Sequence, residues 1–211
     1  MIVVLIGMPG CGKGTQASLL LKKFPVDHIA VGDVLRSCAQ KDTKLGKTIR
    51  SIIDRGNLLD DNIVSQIVFD AIMTSKSKNF ILDGYPRKLS QAKFLEDNFP
   101  DETILYIYFK IDEKTLISRL LSRVICANCS HVLSQQDMLL DIYICPHCFS
   151  DDVRKRQDDD LRTIKKRIEV FNRETLPIVE FYTGGSHFIS IDSKDNVENI
   201  SKIVFNFIKT H

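Results

Sequence analysis

The chain has 211 residues, 44% of them hydrophobic and 27% charged, which suits one sizeable α/β domain, or one carrying inserts, and excludes a disordered chain. A net charge of +2, from 29 basic and 27 acidic residues, argues against a protein that coats nucleic acid through bulk charge. The first residues, MIVVLIGMPG, are apolar but short, lack a basic leader and run straight into a glycine-rich loop. They read as a strand and not as an export signal. No apolar run approaches the ~20 residues that span a bilayer, so no membrane role is expected and the expected location is the cytoplasm.

In chain order, residues 2–6 read as a buried strand and 12–24 as a helix. Further short β-branched runs fall at 28–31, 80–83 (FILD), 103–111 (TILYIYFKI) and 188–191 (FISI). Continuous apolar runs of this kind fit strands buried on both faces of a parallel sheet. Helical patterns occupy 62–75, 113–122, 161–182 and 197–209. The alternation predicts a doubly wound α/β fold around a parallel five-stranded sheet. Two stretches break the rhythm. Residues 32–59 look helical with no strand, as a small insert would. Residues 124–156 are rich in cysteine, polar and turn residues, as expected of a second, metal-pinned insert.

Gly7-Met8-Pro9-Gly10-Cys11-Gly12-Lys13-Gly14-Thr15 follows a strand and opens a helix, the context of a phosphate-binding loop. Glycines let backbone N–H groups turn inward around a phosphate, the helix N-terminus adds partial positive charge, and Lys13 adds a full one. A thiol at a helix N-terminus beside a lysine tends to a lowered pKa, which makes Cys11 a candidate for oxidation or alkylation. The plainer reading is a small residue in a small space. Cys38 has no assigned role.

Cys126, Cys129, Cys145 and Cys148 form two C-x2-C pairs fifteen residues apart. In a chain read as cytoplasmic, that spacing points to a tetrahedral Zn²⁺ held by four thiolates, a closed structural site. His131 and His147 stand beside the ligands but four cysteines already fill the shell. Zinc ribbons also grip nucleic acid, so a nucleotide-switched nucleic-acid-binding protein is an alternative. Against it, residues 124–150 contain no Lys or Arg.

The loop is narrower than a generic phosphate loop, because Gly14 separates Lys13 from Thr15. Residues 7–16 resemble the adenylate kinase loop G-x-P-G-x-G-K-G-T-Q throughout, and the resemblance covers nearly the whole chain. It implies a core of 1–29, 60–122 and 160–211, a nucleoside-monophosphate-binding insert at 30–59 and a zinc-binding lid of the bacterial long type at 123–159. It also implies reversible transfer of the ATP γ-phosphate to AMP, giving two ADP, by a monomer using Mg²⁺.

The resemblance carries roles residue by residue. ATP falls to Gly10, Cys11, Gly12, Lys13, Gly14, Thr15, Arg119 and Arg123, and through backbone to Val132, Leu133 and Asp195. Asp83-Gly84-Tyr85-Pro86-Arg87 resembles D-G-[FY]-P-R, which gives Asp83 to Mg²⁺ through water and Arg87, with Gly84, Tyr85 and Pro86, to the acceptor. Gln91 matches the adenine-bonding glutamine. Gly32-Asp33-Val34-Leu35-Arg36 resembles G-D-x-[LI]-R, with Arg36 on the acceptor phosphate. Asn57, Leu58 and Leu59 border the acceptor base. Arg156, in R-x-D-D, and Arg167 match further phosphate ligands. Lys13, Arg87, Arg123, Arg156 and Arg167 are the implied catalytic set. The chain departs from the family at Ala30-Val31, which replaces Ser-Thr. Val31 cannot offer adenine a hydroxyl, so a kinase preferring CMP, UMP or GMP stays open as an alternative.

Overall fold

The computed structural model describes residues 1–40, 42–54, 59–129, 131–133, 144–156 and 159–211. Five parallel strands form the central sheet: β1 (Ile2–Ile6), β2 (Asp27–Ala30), β3 (Phe80–Asp83), β4 (Ile104–Lys110) and, late in the chain, β8 (Phe188–Asp192). Their spatial order is β2-β3-β1-β4-β8, with Ile2 opposite Phe80 on one side and Ile104 on the other. The chain runs from β1 out to β2, returns to β3, then crosses to β4 and β8. The loop after β1 therefore opens where the strand order reverses, the usual ligand crevice of such sheets.

Alternation along the strands divides the core in two. Ile2, Val4 and Ile6 of β1 face one hydrophobic cluster, and Val3 and Leu5 face the other. The first face is covered by α4 (Asp61–Thr74), α5 (Leu89–Asn98) and α8 (Leu176–Tyr182). It buries Val64, Val68 and Ile72, a four-residue spacing that lines one side of a helix. The second face carries α1 (Lys13–Leu21), α6 (Glu113–Leu121), α7 (Leu161–Val170) and α9 (Val197–Lys209). There Ile200, Val204 and Ile208 repeat the same spacing. The three central strands, β1, β3 and β4, are thus apolar on both sides, which is why they read as continuous runs.

Several elements differ from expectation. Residue 31 opens a helix instead of closing a strand: α2 (Val31–Gln40) starts there, with Asp33 in its first turn favouring a helix N-terminus. The insert at 32–59 contains two helices, α2 and α3 (Lys44–Asp54). Its buried Val31, Leu35, Ala39 and Ile49 join the first core cluster. Helix α5 had no counterpart in the sequence reading. The helix expected over 161–182 is interrupted by a π turn at Phe171–Thr175. The cysteine-rich insert holds an antiparallel sheet of β5 (Val124–Cys126), β6 (Val132–Leu133) and β7 (Val153–Lys155), in the order β6-β5-β7. Among the described residues no helix is long and apolar enough to cross a membrane.

Candidate active site

The loop between β1 and α1 is built on backbone that only glycine takes easily. Gly10 has φ 87°, and a Cβ there would come within 2.7 Å of Leu120. Gly12, at φ 103°, caps α1 in the left-handed region. Lys13 bends back over the loop, its Nζ 2.8 Å from the Gly7 carbonyl and 3.1 Å from that of Met8. Asp83, at the end of β3, faces the loop from the neighbouring strand: a Cβ on Gly14 would lie 3.9 Å from its Oδ2.

These groups floor an open cleft of 1890 Å³ that is also lined by Arg36, Arg87, Arg119, Arg123, Arg156 and Arg167. Most of these guanidinium groups have a fixed partner. Arg87 Nε donates to the Gly84 carbonyl at 2.9 Å. Burial works to lower the Arg87 pKa; Asp83 opposes this, and Arg167 and Arg36 add to it. Arg36 pairs with Asp33 in the first turn of α2. Arg123 makes a bidentate pair with Asp159, at 2.7 and 2.6 Å, and Arg167 Nη1 lies 3.7 Å from the same carboxylate. Arg119 Nη2 donates to the Ser193 carbonyl at 3.0 Å. Like charges gathered around one cavity cost free energy unless an anion fills it, and planar forks suit phosphate oxygens.

The lid brings its four cysteines together, with all sulfur atoms within 4.8 Å of one another. The Cys126–Cys148 and Cys129–Cys145 pairs are each 3.5 Å apart. Zn–S bonds of about 2.3 Å in a tetrahedron place sulfurs about 3.8 Å apart, so the cluster fits such an ion. Backbone N–H groups of Cys129 and Asn128 draw the Cys126 thiol down, while burial pushes the adjoining Cys129 thiol up; a metal at this site would need all four as thiolates. The knuckles are closed by Cys126 N–H to the His131 carbonyl (2.9 Å) and Cys145 N–H to that of Ser150 (2.8 Å).

A family model described as adenylate kinase matches residues 5–187. The chain belongs to the adenylate kinase family. It is 36% identical over 211 residues to the adenylate kinase of Rickettsia prowazekii, covering 99% of both chains. It is 38% identical over 202 residues to that of Rickettsia peacockii, covering 95% of both. The fold, the phosphotransferase class and adenylate kinase function follow from this membership.

Against the family-implied site, the structure places Val31, Leu59, Gly84, Pro86 and Gln91 on the cleft wall with Arg36 and Arg87, and Val132, Leu133 and Asp195 on the wall with Arg119. Asn57 and Leu58 lie outside the described residues. Tyr85 turns away: it is 1% exposed, and its hydroxyl lies 2.9 Å from Ser65 Oγ and 3.1 Å from the Gln91 carbonyl. Gln91 is already engaged, its Oε1 accepting the Arg87 N–H (2.8 Å) and its Nε2 donating to Asp61 (3.1 Å). The expectation of a lowered Cys11 pKa is overturned. Cys11 is 2% exposed, and burial pushes its thiol up despite Lys13. His131 and His147 stack with ring centroids 5.6 Å apart on the cleft side of the lid. Sequence reasoning assigned nothing to Asp159, which grips two of the arginines. Its place in R-x-D-D was the available signal.

Proposed function

We propose that the chain transfers the γ-phosphoryl group of Mg²⁺-bound ATP to AMP, giving two ADP, with the phosphates meeting between Lys13 and the arginine cluster. The observation that carries this reading is the convergence of Arg36, Arg87, Arg123, Arg156 and Arg167 on the cleft floored by the phosphate loop. AMP needs no general base, because the second pKa of a phosphate monoester is ~6 and its attacking oxygen is already ionised. What remains is to bring two polyanions into line, which is positioning and charge stabilisation. Lys13 exchanges the Gly7 and Met8 carbonyls for phosphate oxygens. Arg123 and Arg167, steered by Asp159, close on the transferring group. Asp83 would hold Mg²⁺ through its water shell, where the ion neutralises phosphate charge. Arg36 and Arg87 hold the acceptor phosphate, and Arg119, Val132, Leu133 and Asp195 border the donor.

The four lid cysteines would hold a structural Zn²⁺, and reduced thiols at that site fit a cytoplasmic protein. We infer a working monomer, as in the family resemblance. The second reading, a different acceptor base, is favoured by one observation: Val31 is apolar and 1% exposed. Kinetics with AMP, CMP, UMP and GMP, each with Mg·ATP, test the assignment. AMP is expected to give the highest kcat/KM. A pyrimidine monophosphate ahead of AMP would sink it.

A further inference from the structure

We propose that Thr175 is a positioning residue for phosphoryl transfer, its hydroxyl fixing the peptide of Arg87 and thereby the direction of that guanidinium. The inference rests on the reading of Arg87 as a ligand of the acceptor phosphate.

The helical run that carries Arg167 does not continue straight. Helix α7 ends at Val170, Phe171–Thr175 forms a π turn, and α8 begins at Leu176. The Leu176 N–H donates to the Phe171 carbonyl, five residues back. Pro177 follows at the start of α8 and has no N–H with which to restore the four-residue step. One extra residue in a turn rotates all later side chains by about 100° relative to an unbroken helix. The π turn thus sets which way Thr175 points.

Thr175 closes the π turn with helical backbone angles, φ −102° and ψ −36°. Within a helix a threonine hydroxyl ordinarily bonds back to a carbonyl three or four residues earlier. The Thr175 Oγ1 donates instead to the Arg87 carbonyl at 2.8 Å, across 88 residues of sequence. The side chain is buried, at 6% exposure. The hydroxyl thus serves a long-range contact with a site residue and not its own helix.

The contact completes a clamp. The Arg87 N–H is gripped by Gln91 Oε1, itself anchored by Asp61 at the start of α4. The Arg87 carbonyl is gripped by Thr175. The two polar groups of Arg87 are therefore held from opposite sides by separate elements. Arg36 and Arg167 are like charges close enough to bear on Arg87, and would turn a loosely held side chain aside. A misplacement of about 1 Å at a reacting group costs on the order of 10²-fold in rate. Thr175 also joins Arg87 to the helical run that bears Arg167, so two phosphate ligands move as one body.

The test compares Thr175→Val, which keeps shape and loses the hydroxyl, with Thr175→Ser, which keeps the hydroxyl. Both are assayed for kcat and for KM of AMP and ATP, alone and in an Arg87→Lys background, with thermal unfolding measured alongside. Thr175→Val should lower kcat/KM for AMP by about tenfold while KM for ATP changes less than about twofold. Thr175→Ser should lie within about twofold of wild type. In Arg87→Lys, adding Thr175→Val should cost less than about twofold, because the interaction it acts through is already lost. Thr175→Ala supplies a second hydroxyl-free variant if the valine form does not fold. Wild-type kinetics in the hydroxyl-free variants, or an undiminished loss in the Arg87→Lys background, overturns the inference. A fully active Arg87→Lys enzyme overturns it at its premise, and so marks the failure of the Arg87 reading separately.

Discussion

Tyr85 shows how one side chain is committed to the core while its neighbours serve the cleft. Its hydroxyl reaches Ser65 and the Gln91 carbonyl, and burial pushes its pKa from 10.0 up to about 12. The carbonyl can only accept, so the bond to it needs the phenol proton. The folded state disfavours the phenolate, whereas an unfolded chain ionises near 10. The stabilisation is therefore complete below about pH 10 and is lost as pH rises through about 12. It amounts to roughly 2–3 kcal/mol for a shift of this size. Urea unfolding between pH 9 and pH 12 should show stability falling, with a shallower fall in Tyr85→Phe. Tyr106, Tyr182 and Tyr108, with the Cys11 thiol, are also raised by burial and contribute to the slope that both proteins share. An equal slope in both proteins would refute the assignment to Tyr85. The same contrast explains what the sequence disclosed at this scale. Lys13 lies in a contiguous phosphate-loop motif and could be named from its spacing, whereas the roles of Asp83 and the arginines came through the family resemblance. Thr175 and Asp159 act on partners 88 and 36 residues away; R-x-D-D marked Asp159 without naming its partner, and no motif marked Thr175. For Cys11 the plainer reading agrees with its burial against Gly7 and among Leu5, Phe109 and other residues of the second core cluster, whereas the helix terminus and lysine that suggest a lowered pKa are local features outweighed by that burial.

Among elements, α4 connects the acceptor-side insert to the core, and its first turn is closely specified. Asp60 caps it, the side chain accepting from Asn62 N–H (3.0 Å) and Ile63 N–H (3.4 Å). Asp61, next along, takes the Ser90 hydroxyl (2.8 Å), Gln91 Nε2 (3.1 Å) and Lys88 Nζ (3.0 Å). Removing the cap by Asp60→Ala should cost about 1 kcal/mol of unfolding free energy. Its effect on kcat/KM should stay below about threefold, because Asp61 still anchors Gln91. A larger kinetic loss with unchanged stability would show that Asp60 serves the site and not the helix. The central strands β1, β3 and β4 were legible because their apolar runs are unbroken and buried, while the edge strands β2 and β8, with exposed Asp27, Ser190 and Asp192, stood out by their short β-branched or aromatic runs. Helix α5 was not, since only Gln91, Ala92 and Leu95 of its ten residues are buried and its pattern is mostly polar. The run 161–182 is helical in pattern throughout, and the π turn at Phe171–Thr175 keeps the chain helical, so periodicity does not reveal it; Pro177 just beyond marks the start of the next helix. The lid strands have two or three residues each, too few to show any period.

Among the described residues, three hydrophobic clusters divide the work. Two flank the central sheet and are large. The third, in the lid, has Val124, Cys126, Leu133 and Cys145 as its described buried members, with Cys129, Cys148 and Val153 packed against them. Four of those seven residues are the candidate zinc ligands. Among the described residues the lid has little core apart from the cysteines, and a unit of that size is expected to depend on metal to stay folded. The sheet clusters contain no lid residue, so they do not depend on it. Chelation under reducing conditions should release about one equivalent of zinc and convert unfolding into two steps. The lid should loosen at low temperature, and the core should melt close to the temperature of the metal-loaded protein. Because Arg123 and Arg156 flank the lid at its two roots and Val132 lines the cleft, KM for ATP should rise by about tenfold or more in the stripped enzyme. KM for AMP should change less, since Arg36, Arg87 and Gln91 sit on the core and the other insert. Zinc added back should restore both. A single transition shifted as a whole would instead mean that lid and core unfold as one unit, and unchanged KM for ATP would mean that the metal does not hold the lid in its nucleotide-binding form.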